Sequence, residues 1–197
     1  MQLVPFSWGR SRAQERPPEM GDPGSSASVL GEEALVALSE EARGRPRLRA
    51  NRNLHEMTDP VHRLLNAVEP GSYIRPHRHL HPPRSETVVV VSGALGLLLF
   101  DEAGYVARTE LLRPAPGRFA ADLAEGVWHT FISLESGTVF LETKAGPYVP
   151  PGSDDLASWA PAEGEEGASA LEERFRTMIR TVHAFFTRSG ENPCRSW

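Results

Sequence analysis

Two short apolar runs, Thr87-Val-Val-Val-Val91 and Leu95-Gly-Leu-Leu-Leu-Phe100, decide the fold class of this 197-residue chain. Ser92-Gly93 ends the first run, and Asp101-Glu-Ala-Gly104 ends the second. Runs of this length, rich in Val and Leu and bounded by turn residues, are typical of β-strands. The stretch therefore predicts two strands joined by a tight connection.

The same pattern continues outward in both directions, between residues 47 and 144. Apolar runs recur at regular intervals, and most end near Gly or Pro, as at Glu69-Pro-Gly71 and Gly146-Pro147. Regular spacing with tight connections predicts an antiparallel sandwich or barrel. The other predicted strands cover residues 61–68, 105–112, 119–123, 127–134 and 138–144.

Apolar residues at helical spacing flank this strand region on both sides. Residues 31–42 have such spacing, and Gly44 with Pro46 supplies a stop, which predicts a short helix. Residues 168–187 carry one apolar stripe, which predicts an amphipathic helix. We expect this second helix to pack on the barrel or on a partner subunit.

Composition divides the chain into three parts. Residues 1–27 are rich in Pro, Gly, Ser and charge without apolar periodicity, which predicts a disordered N-terminal extension. Residues 28–165 form the predicted barrel domain, and residues 166–197 form the C-terminal helix and a tail.

The overall composition excludes several classes of protein. With 40% hydrophobic and 24% charged residues, the chain resembles an ordinary soluble protein, and no apolar run reaches the roughly 18 residues of a membrane span. The net charge of −5 argues against a nucleic-acid-binding surface. The single cysteine, Cys194, excludes an intramolecular disulfide or a thiolate metal site. We therefore expect a cytoplasmic protein without nucleic-acid or membrane partners.

Three histidines and one carboxylate form a candidate metal-ligand set: His77, His79, Glu86 and His129. Because alternate residues of a strand share a face, His77 and His79 are predicted to project the same way from one strand. His81 lies on that face too and is the alternative ligand. Such a set suits one divalent transition metal, which is iron, manganese, zinc, nickel or cobalt, and leaves coordination positions open.

Other polar residues are candidates for lining the same pocket. Glu142 and Lys144, the only lysine of the chain, share a face of the last predicted strand. They form either an internal acid/base pair with a catalytic role or an ion pair on the outer surface. The candidate substrate-binding residues are His55, Arg63, Tyr73 and Arg75.

The spacing of these residues resembles the two cupin motifs. Gly71, His77-Arg-His79, Glu86 and Gly93 match the first motif, and Gly126-Val-Trp-His129 matches the second. Six residues separate His79 from Glu86, where the usual motif has three or four. The resemblance implies a double-stranded β-helix, or jelly-roll, barrel of the RmlC-like cupin type with a metal in its mouth.

More narrowly, the chain resembles the WbuC family of cupin-fold metalloproteins between about residues 30 and 165. Matching stretches include Arg49-Ala-Asn-Arg-Asn-Leu-His55 and Glu142-Thr-Lys144-Ala-Gly-Pro-Tyr148. This resemblance implies an association with O-antigen or other surface polysaccharide metabolism, without implying a reaction.

Two hypotheses of function follow. The first is a metal-dependent isomerase, epimerase or oxygenase that acts on a small polar or sugar-derived substrate. The second is a non-catalytic metal or sugar binding module built on the same barrel. The cupin resemblance favours a homodimer in either case.

Overall fold

The computed structural model of the protein describes residues 27–189, with side chains through residue 184. The described residues belong to two units, residues 27–31 and residues 32–189. All helices and strands of the described part lie in the second unit. The predicted extension, apart from Ala27, and the last eight residues of the predicted tail lie outside the described residues.

The described residues form mainly antiparallel β-structure with a helix near each end, as predicted. The N-terminal helix α1 covers Glu32–Gly44, the C-terminal helix α2 covers Ala168–Ser189, and a short 3-10 helix covers Ser153–Asp155. The strands are β1 Arg49–Asn53, β2 Val61–Val68, β3 Glu86–Ser92, β4 Leu95–Phe100, β5 Val106–Leu112, β6 Ala120–Leu123, β7 His129–Ser133 and β8 Thr138–Ala145.

The strands form two sheets, one in the order β1-β2-β8-β3-β6 and the other in the order β5-β4-β7. All strand pairs are antiparallel. Beside β7, an antiparallel bridge between His77 and His129 places the segment after β2 where a fourth strand of the second sheet would lie. With that segment included, the order is the one of a jelly roll, and the predicted fold class is confirmed.

The prediction that His77 and His79 extend from one strand is wrong. His77 makes isolated bridges to His129 and Leu156, but the chain between β2 and β3 forms no continuous ladder. Prolines explain the difference, since Pro76, Pro82 and Pro83 have no N–H to donate to a neighbouring strand.

Two apolar clusters stabilise the barrel, one on each side of the three-stranded sheet. The inner cluster fills the space between the sheets with residues such as Val88, Leu95, Phe131 and Phe140. The outer cluster joins the other face of β4 and β7 to helix α2. In it, Ile179 is fully buried over Gly96, where any side chain would clash with the Ile179 methyl group. Helix α2 therefore packs on the barrel, which is one of the two arrangements predicted for it.

None of the helices in the described part of the chain is long and apolar enough to cross a membrane.

Candidate metal centre

Three imidazoles meet at one end of the barrel. His77 and His79 come from the segment between β2 and β3, and His129 is the first residue of β7. Each of the three offers a ring nitrogen, and these atoms lie within 4.8 Å of one another. The ring centroids of His77 and His129 are 4.4 Å apart, and that of His79 lies 5.2 Å from His77. The structure thus brings together all three histidines of the predicted ligand set.

The main chain fixes two of these histidines relative to each other. The N–H of His77 donates to the carbonyl of His129, and the N–H of His129 donates back, both at 2.9 Å. Each ring is oriented by a further carbonyl, because Nδ1 of His77 lies 3.1 Å from the Arg75 oxygen and Nδ1 of His129 lies 2.9 Å from the Val127 oxygen. A proton on Nδ1 satisfies each contact and leaves Nε2 with a free lone pair.

The surroundings of the Nε2 atom of His129 indicate whether a metal fits this site. It is buried and has no hydrogen-bond partner, although buried polar atoms are normally paired. A metal ion is a natural partner for a buried imidazole lone pair that faces two other imidazoles. The donor set and the unpartnered atom therefore both fit a transition metal.

Glu86, the first residue of β3, lies beside the three rings. Its carboxylate is buried, with Oε2 at 2.8 Å from Nε2 of His79 and Oε1 at 4.0 Å from Nε2 of His129. Glu86 therefore holds the His79 ring and brings a negative charge to the centre.

The electrostatics of the centre keep His77, His129 and Glu86 in the protonation states that metal ligands require. Burial, followed by the charge on His129, lowers the pKa of His77 to about 3, and burial also lowers the pKa of His129. Burial alone would raise the pKa of Glu86, but the hydrogen bond from His79 and the charge of Lys144 outweigh it and lower that pKa to about 2. Near neutral pH, His77 and His129 are therefore neutral while Glu86 is ionised.

His81, the alternative ligand, lies outside the group of three. Its side chain is exposed, and its main-chain N–H lies 3.3 Å from the carboxylate of Asp155. Among the described residues, the cluster suited to a metal comprises His77, His79 and His129 without His81.

Glu142 and Lys144 point into the barrel rather than onto its outer surface. Their strand, β8, pairs Lys144 with Glu86 and Glu142 with Val88, so both share the inner face. The ammonium of Lys144 lies 2.5 Å from Oε1 of Glu142 and 3.7 Å from Oε2 of Glu86. Of the two predicted arrangements, the structure shows the internal pair.

Lys144 and Glu142 differ in how their surroundings affect their protonation. Burial alone would lower the pKa of Lys144, but the carboxylates of Glu142 and Glu86 outweigh it and raise that pKa, so the amine stays protonated. Burial and the nearby Glu86 raise the pKa of Glu142. Lys144 is thus a fixed cation, and Glu142 is the carboxyl that more readily takes up a proton.

Tyr73 and Arg75, two of the predicted substrate-binding residues, hold neighbouring loops in place. The Tyr73 hydroxyl donates to the carbonyl of Pro161 at 2.8 Å, and burial raises the pKa of Tyr73 to about 12. The Arg75 guanidinium donates twice to the carbonyl of Ala157, at 2.7 and 3.0 Å. The Tyr73 hydroxyl and the Nε and Nη2 groups of Arg75 are therefore engaged by main-chain carbonyls of the fold.

His55 and Arg63, the other two, lie beside β2. His55 stacks on His62 with 4.0 Å between ring centroids, and its Nδ1 lies 2.7 Å from the carbonyl oxygen of Arg63. The Arg63 side chain is 52% exposed and lies 3.9 Å from the carboxylate of Asp59. Among the described residues, those that line the two cavities at the metal centre include none of the four predicted substrate-binding residues.

Two cavities approach the candidate metal centre and share His77 and Lys144 in their walls. The larger, of about 610 Å³, runs into the barrel past Glu86 and Glu142. The smaller, of about 220 Å³, lies on the side of His79 and His81. The larger volume suits a small organic molecule.

The larger cavity also contains residues outside the predicted metal-ligand and substrate-binding sets. Its outer part is lined by arginines and asparagines from the α1–β1 turn and from strands β1 and β2: Arg45, Arg47, Arg49, Asn51 and Asn66. Strand β1, Arg49–Asn53, has no apolar run and was not predicted. An alternation of long polar side chains at Arg49, Asn51 and Asn53 was the available signal, since such residues share one face of a strand.

Comparison with known proteins gives a match to one family model over part of the chain. Residues 30–112 match the family model described as a domain of unknown function (DUF6016). No curated protein matches the sequence.

Several solved structures have a similar arrangement of the chain. The structure of KdgF from Halomonas sp. is 18% identical, with 54% of this chain and 85% of that chain covered and a TM-score of 0.42. SPY1581, a conserved protein of unknown function from Streptococcus pyogenes, is 15% identical, with 66% and 97% covered and a TM-score of 0.45. A cupin 2 domain-containing protein from Halorhodospira halophila is 19% identical, with 67% and 83% covered and a TM-score of 0.43.

Proposed function

We propose that this protein is a metal-binding cupin in which His77, His79 and His129 hold one divalent transition metal, with Glu86 as a fourth ligand or as the partner of His79. The observation that carries the proposal is the buried Nε2 of His129, which has no hydrogen-bond partner and faces two further imidazoles. The neutral state of His77 and His129 and the ionised state of Glu86 support it.

We further propose that the centre is catalytic and acts on a small polar or sugar-derived molecule. When bound, a divalent metal supplies a Lewis acid that polarises a carbonyl or hydroxyl oxygen. The chain itself provides Lys144 as a cation for a substrate oxygen and Glu142 as the group that exchanges a proton. The reaction classes that such groups serve are isomerisation, epimerisation and oxidation, and the WbuC resemblance directs the choice of substrates to surface polysaccharide metabolism.

The alternative is a non-catalytic metal or sugar binding module. One contact favours the binding module. The ammonium of Lys144 lies 2.5 Å from Oε1 of Glu142, so this carboxylate oxygen is already engaged by an ion pair. In both versions the proposed protein is cytoplasmic, binds a small-molecule ligand rather than nucleic acid or a membrane, and forms a homodimer.

Elemental analysis of the purified full-length protein tests the metal site. We expect about one transition metal ion per chain in the wild type and loss of at least nine tenths of it in the double variant His77→Ala/His79→Ala, because two of three imidazole ligands are removed. Turnover of nucleotide sugars by the wild type, absent in the double variant, would then favour the enzyme over the binding module.

Two single-residue variants serve as controls for the loss of metal in the double variant. His55→Ala removes an imidazole outside the cluster and His81→Ala removes the alternative ligand, so both should keep the wild-type metal content. Unchanged metal content in the double variant would contradict the proposed centre, and loss in His81→Ala would move the centre toward His79 and His81.

A further inference from the structure

We infer that Arg47 and Arg49 form a binding site for a carboxylate or phosphate group at the mouth of the larger cavity. This site would hold the anionic end of the ligand whose other end reaches the metal centre. The substrate class of the proposed function is then a molecule that carries a carboxylate or a phosphate. The contact of the ligand's other end with the metal centre rests on the proposed function.

A carboxylate already lies between the two guanidinium groups. Glu163 Oε1 is 2.6 Å from Nε of Arg47, and Oε2 is 2.6 Å from Nη2 of Arg47 and 2.7 Å from Nη2 of Arg49. This is the two-pronged geometry in which arginine binds a carboxylate or phosphate. The two side chains are therefore arranged around an oxyanion.

The site is part of the cavity rather than an ion pair elsewhere on the surface. Arg47 and Arg49 line the same cavity as His77, Glu86 and Lys144. Arg49 is held in place by its donation to the Tyr73 carbonyl at 2.9 Å, and its side chain is only 18% exposed. A ligand in the cavity would meet a fixed guanidinium at the outer end.

The backbone between the two arginines is in an unusual conformation. Leu48 has a φ of +53°, and among the described residues no other non-glycine residue has a positive φ. A leucine in this region is strained by roughly 1 kcal/mol or more, and such strain is concentrated at functional sites. Here the conformation accompanies a turn in which Arg47 and Arg49 contact the same carboxylate.

The charge of the cavity also favours an anionic ligand. Its lining has four permanent cations, Arg45, Arg47, Arg49 and Lys144, against two carboxylates, Glu86 and Glu142. Glu41 pairs with Arg45 from outside the cavity lining. Glu163 compensates the remaining excess, also from outside it. It lies in a stretch without helix or strand, and its side chain is 34% exposed, so an incoming oxyanion can displace it.

Titration calorimetry on the full-length protein with malonate and, separately, inorganic phosphate tests the inference. Glu163→Gln removes the competing charge and should tighten binding of at least one probe by roughly tenfold, while Arg47→Gln should weaken it by roughly tenfold, as expected for one charge-assisted contact. Arg47 is chosen because its side chain is 62% exposed, whereas Arg49 also supports the fold.

Repeating the titrations in the His77→Ala/His79→Ala background separates this site from anions bound to a metal. The dependence on Arg47 and Glu163 should persist there, and it should persist even if the wild type proves to hold no metal. Preference for malonate or for phosphate identifies the group that the natural ligand carries.

The exposed pair Arg113 and Glu135, 2.7 Å apart, provides the control. Glu135→Gln also frees an arginine of its carboxylate and should leave both affinities unchanged. Equal affinities in the wild type, Glu163→Gln and Arg47→Gln for both probes, or an equal gain in Glu135→Gln, would overturn the inference.

Discussion

At the scale of single residues, each ring of the His77–His129 pair has one nitrogen that serves the fold and one that is free to bind. The Nδ1 atoms are matched to main-chain carbonyls two residues earlier, at Arg75 and Val127. This contact sets the tautomer and the ring orientation before any ligand arrives. The chemistry of the centre is thus prepared by local backbone geometry.

Gly93, which matches a position of the first cupin motif, is explained by packing rather than by ligand binding. It has a φ of +73° in the turn between β3 and β4, and a Cβ atom there would lie 2.7 Å from the Cα of Thr138. A backbone atom of β8 cannot move away without disturbing the sheet.

We predict that Gly93→Ala destabilises the protein by about 2–4 kcal/mol, from the positive φ and the clash together. Urea denaturation of variant and wild type measures the loss. Gly137→Ala is the matched control, since Gly137 has a φ of +77° and no atom within 4 Å of the added Cβ. Gly137→Ala should lower the free energy of unfolding by only about 1 kcal/mol. An equal loss in both variants would contradict a contribution from the clash at Gly93.

At the scale of secondary-structure elements, the segment that carries His77 and His79 is held by a neighbouring loop, since it lacks a continuous strand ladder. Residues 152–157, which we name the strap, run beside it. The N–H of Arg78 donates to the Asp155 carbonyl at 2.9 Å, and the N–H of Ala157 donates to the Pro76 carbonyl at 3.0 Å. The strap therefore positions two candidate metal ligands.

The Asp155 carboxylate joins the strap to the histidine segment. It accepts hydrogen bonds from the N–H groups of Gly152 at 2.9 Å, Leu80 at 3.0 Å and His81 at 3.3 Å. Burial alone would raise the pKa of Asp155, but these hydrogen bonds outweigh it and hold that pKa below its ordinary value of 3.8.

We predict that Asp155→Asn lowers the free energy of unfolding at pH 7 by about 1–2 kcal/mol, because an amide NH₂ would face one of the three donors. Because the pKa of Asp155 is lower in the folded state, its contribution is complete above the unfolded value and is lost as the pH falls through the folded value. The difference between variant and wild type should therefore narrow below pH 3.8.

Urea denaturation across that pH range, with Asp154→Asn as control, checks the prediction. Asp154 is exposed and its change should alter stability by less than about 0.5 kcal/mol. A loss in Asp155→Asn that stays the same down to the lowest pH would rule out a contribution from the charge.

The sequence predicted the elements well where an apolar run coincides with a strand. Strands β2 and β4 begin and end where the runs do, because Val and Leu fill the barrel and Gly or Asp ends each run. Strand β1 was missed, since its polar residues face the cavity rather than an apolar core. The alternation of histidines around His77 predicts a strand, but the prolines of that segment prevent a continuous ladder.

The site was predicted only in part, for a physical reason. His77, His79, Glu86 and His129 follow motif spacing, so a local pattern reveals them. The site between Arg49 and Glu163 depends on residues 114 positions apart, and nothing in either local sequence indicates their meeting. The proximity of Tyr73 and Arg75 to the histidines predicts substrate binding, but both side chains donate to main-chain carbonyls more than 80 positions away, and no local pattern indicates these partners.

At the scale of the whole molecule, the candidate centre joins the two sheets. His129 belongs to the three-stranded sheet, whereas Glu86 belongs to the five-stranded sheet, and His79 contacts Glu86. A ligand that contacts residues of both sheets would hold the two sheets together at this end of the barrel. Such a ligand stabilises the folded chain because the unfolded chain cannot assemble the same donors.

We predict that removing the metal with a chelator lowers the melting temperature of the wild type. At a free metal concentration of about 100 times Kd, binding contributes roughly 2.7 kcal/mol, which corresponds to a shift of about 5–10 °C for a chain of this size. Thermal denaturation followed by circular dichroism measures the shift.

The variant His77→Ala/His79→Ala should melt at the same temperature with and without chelator. A shift of equal size in this variant would mean that the chelator acts elsewhere, and no shift in metal-loaded wild type would contradict a tie between the sheets.

The reciprocal main-chain hydrogen bonds between His77 and His129 divide the centre into a rigid half and a compliant half. The rings of those two histidines also contact main-chain carbonyls through Nδ1, whereas the His79 ring is held by a side-chain contact with Glu86. Ions of different radius should therefore be accommodated by rotation of the His79 ring alone. Metal preference at this centre would then depend on the freedom of one side chain.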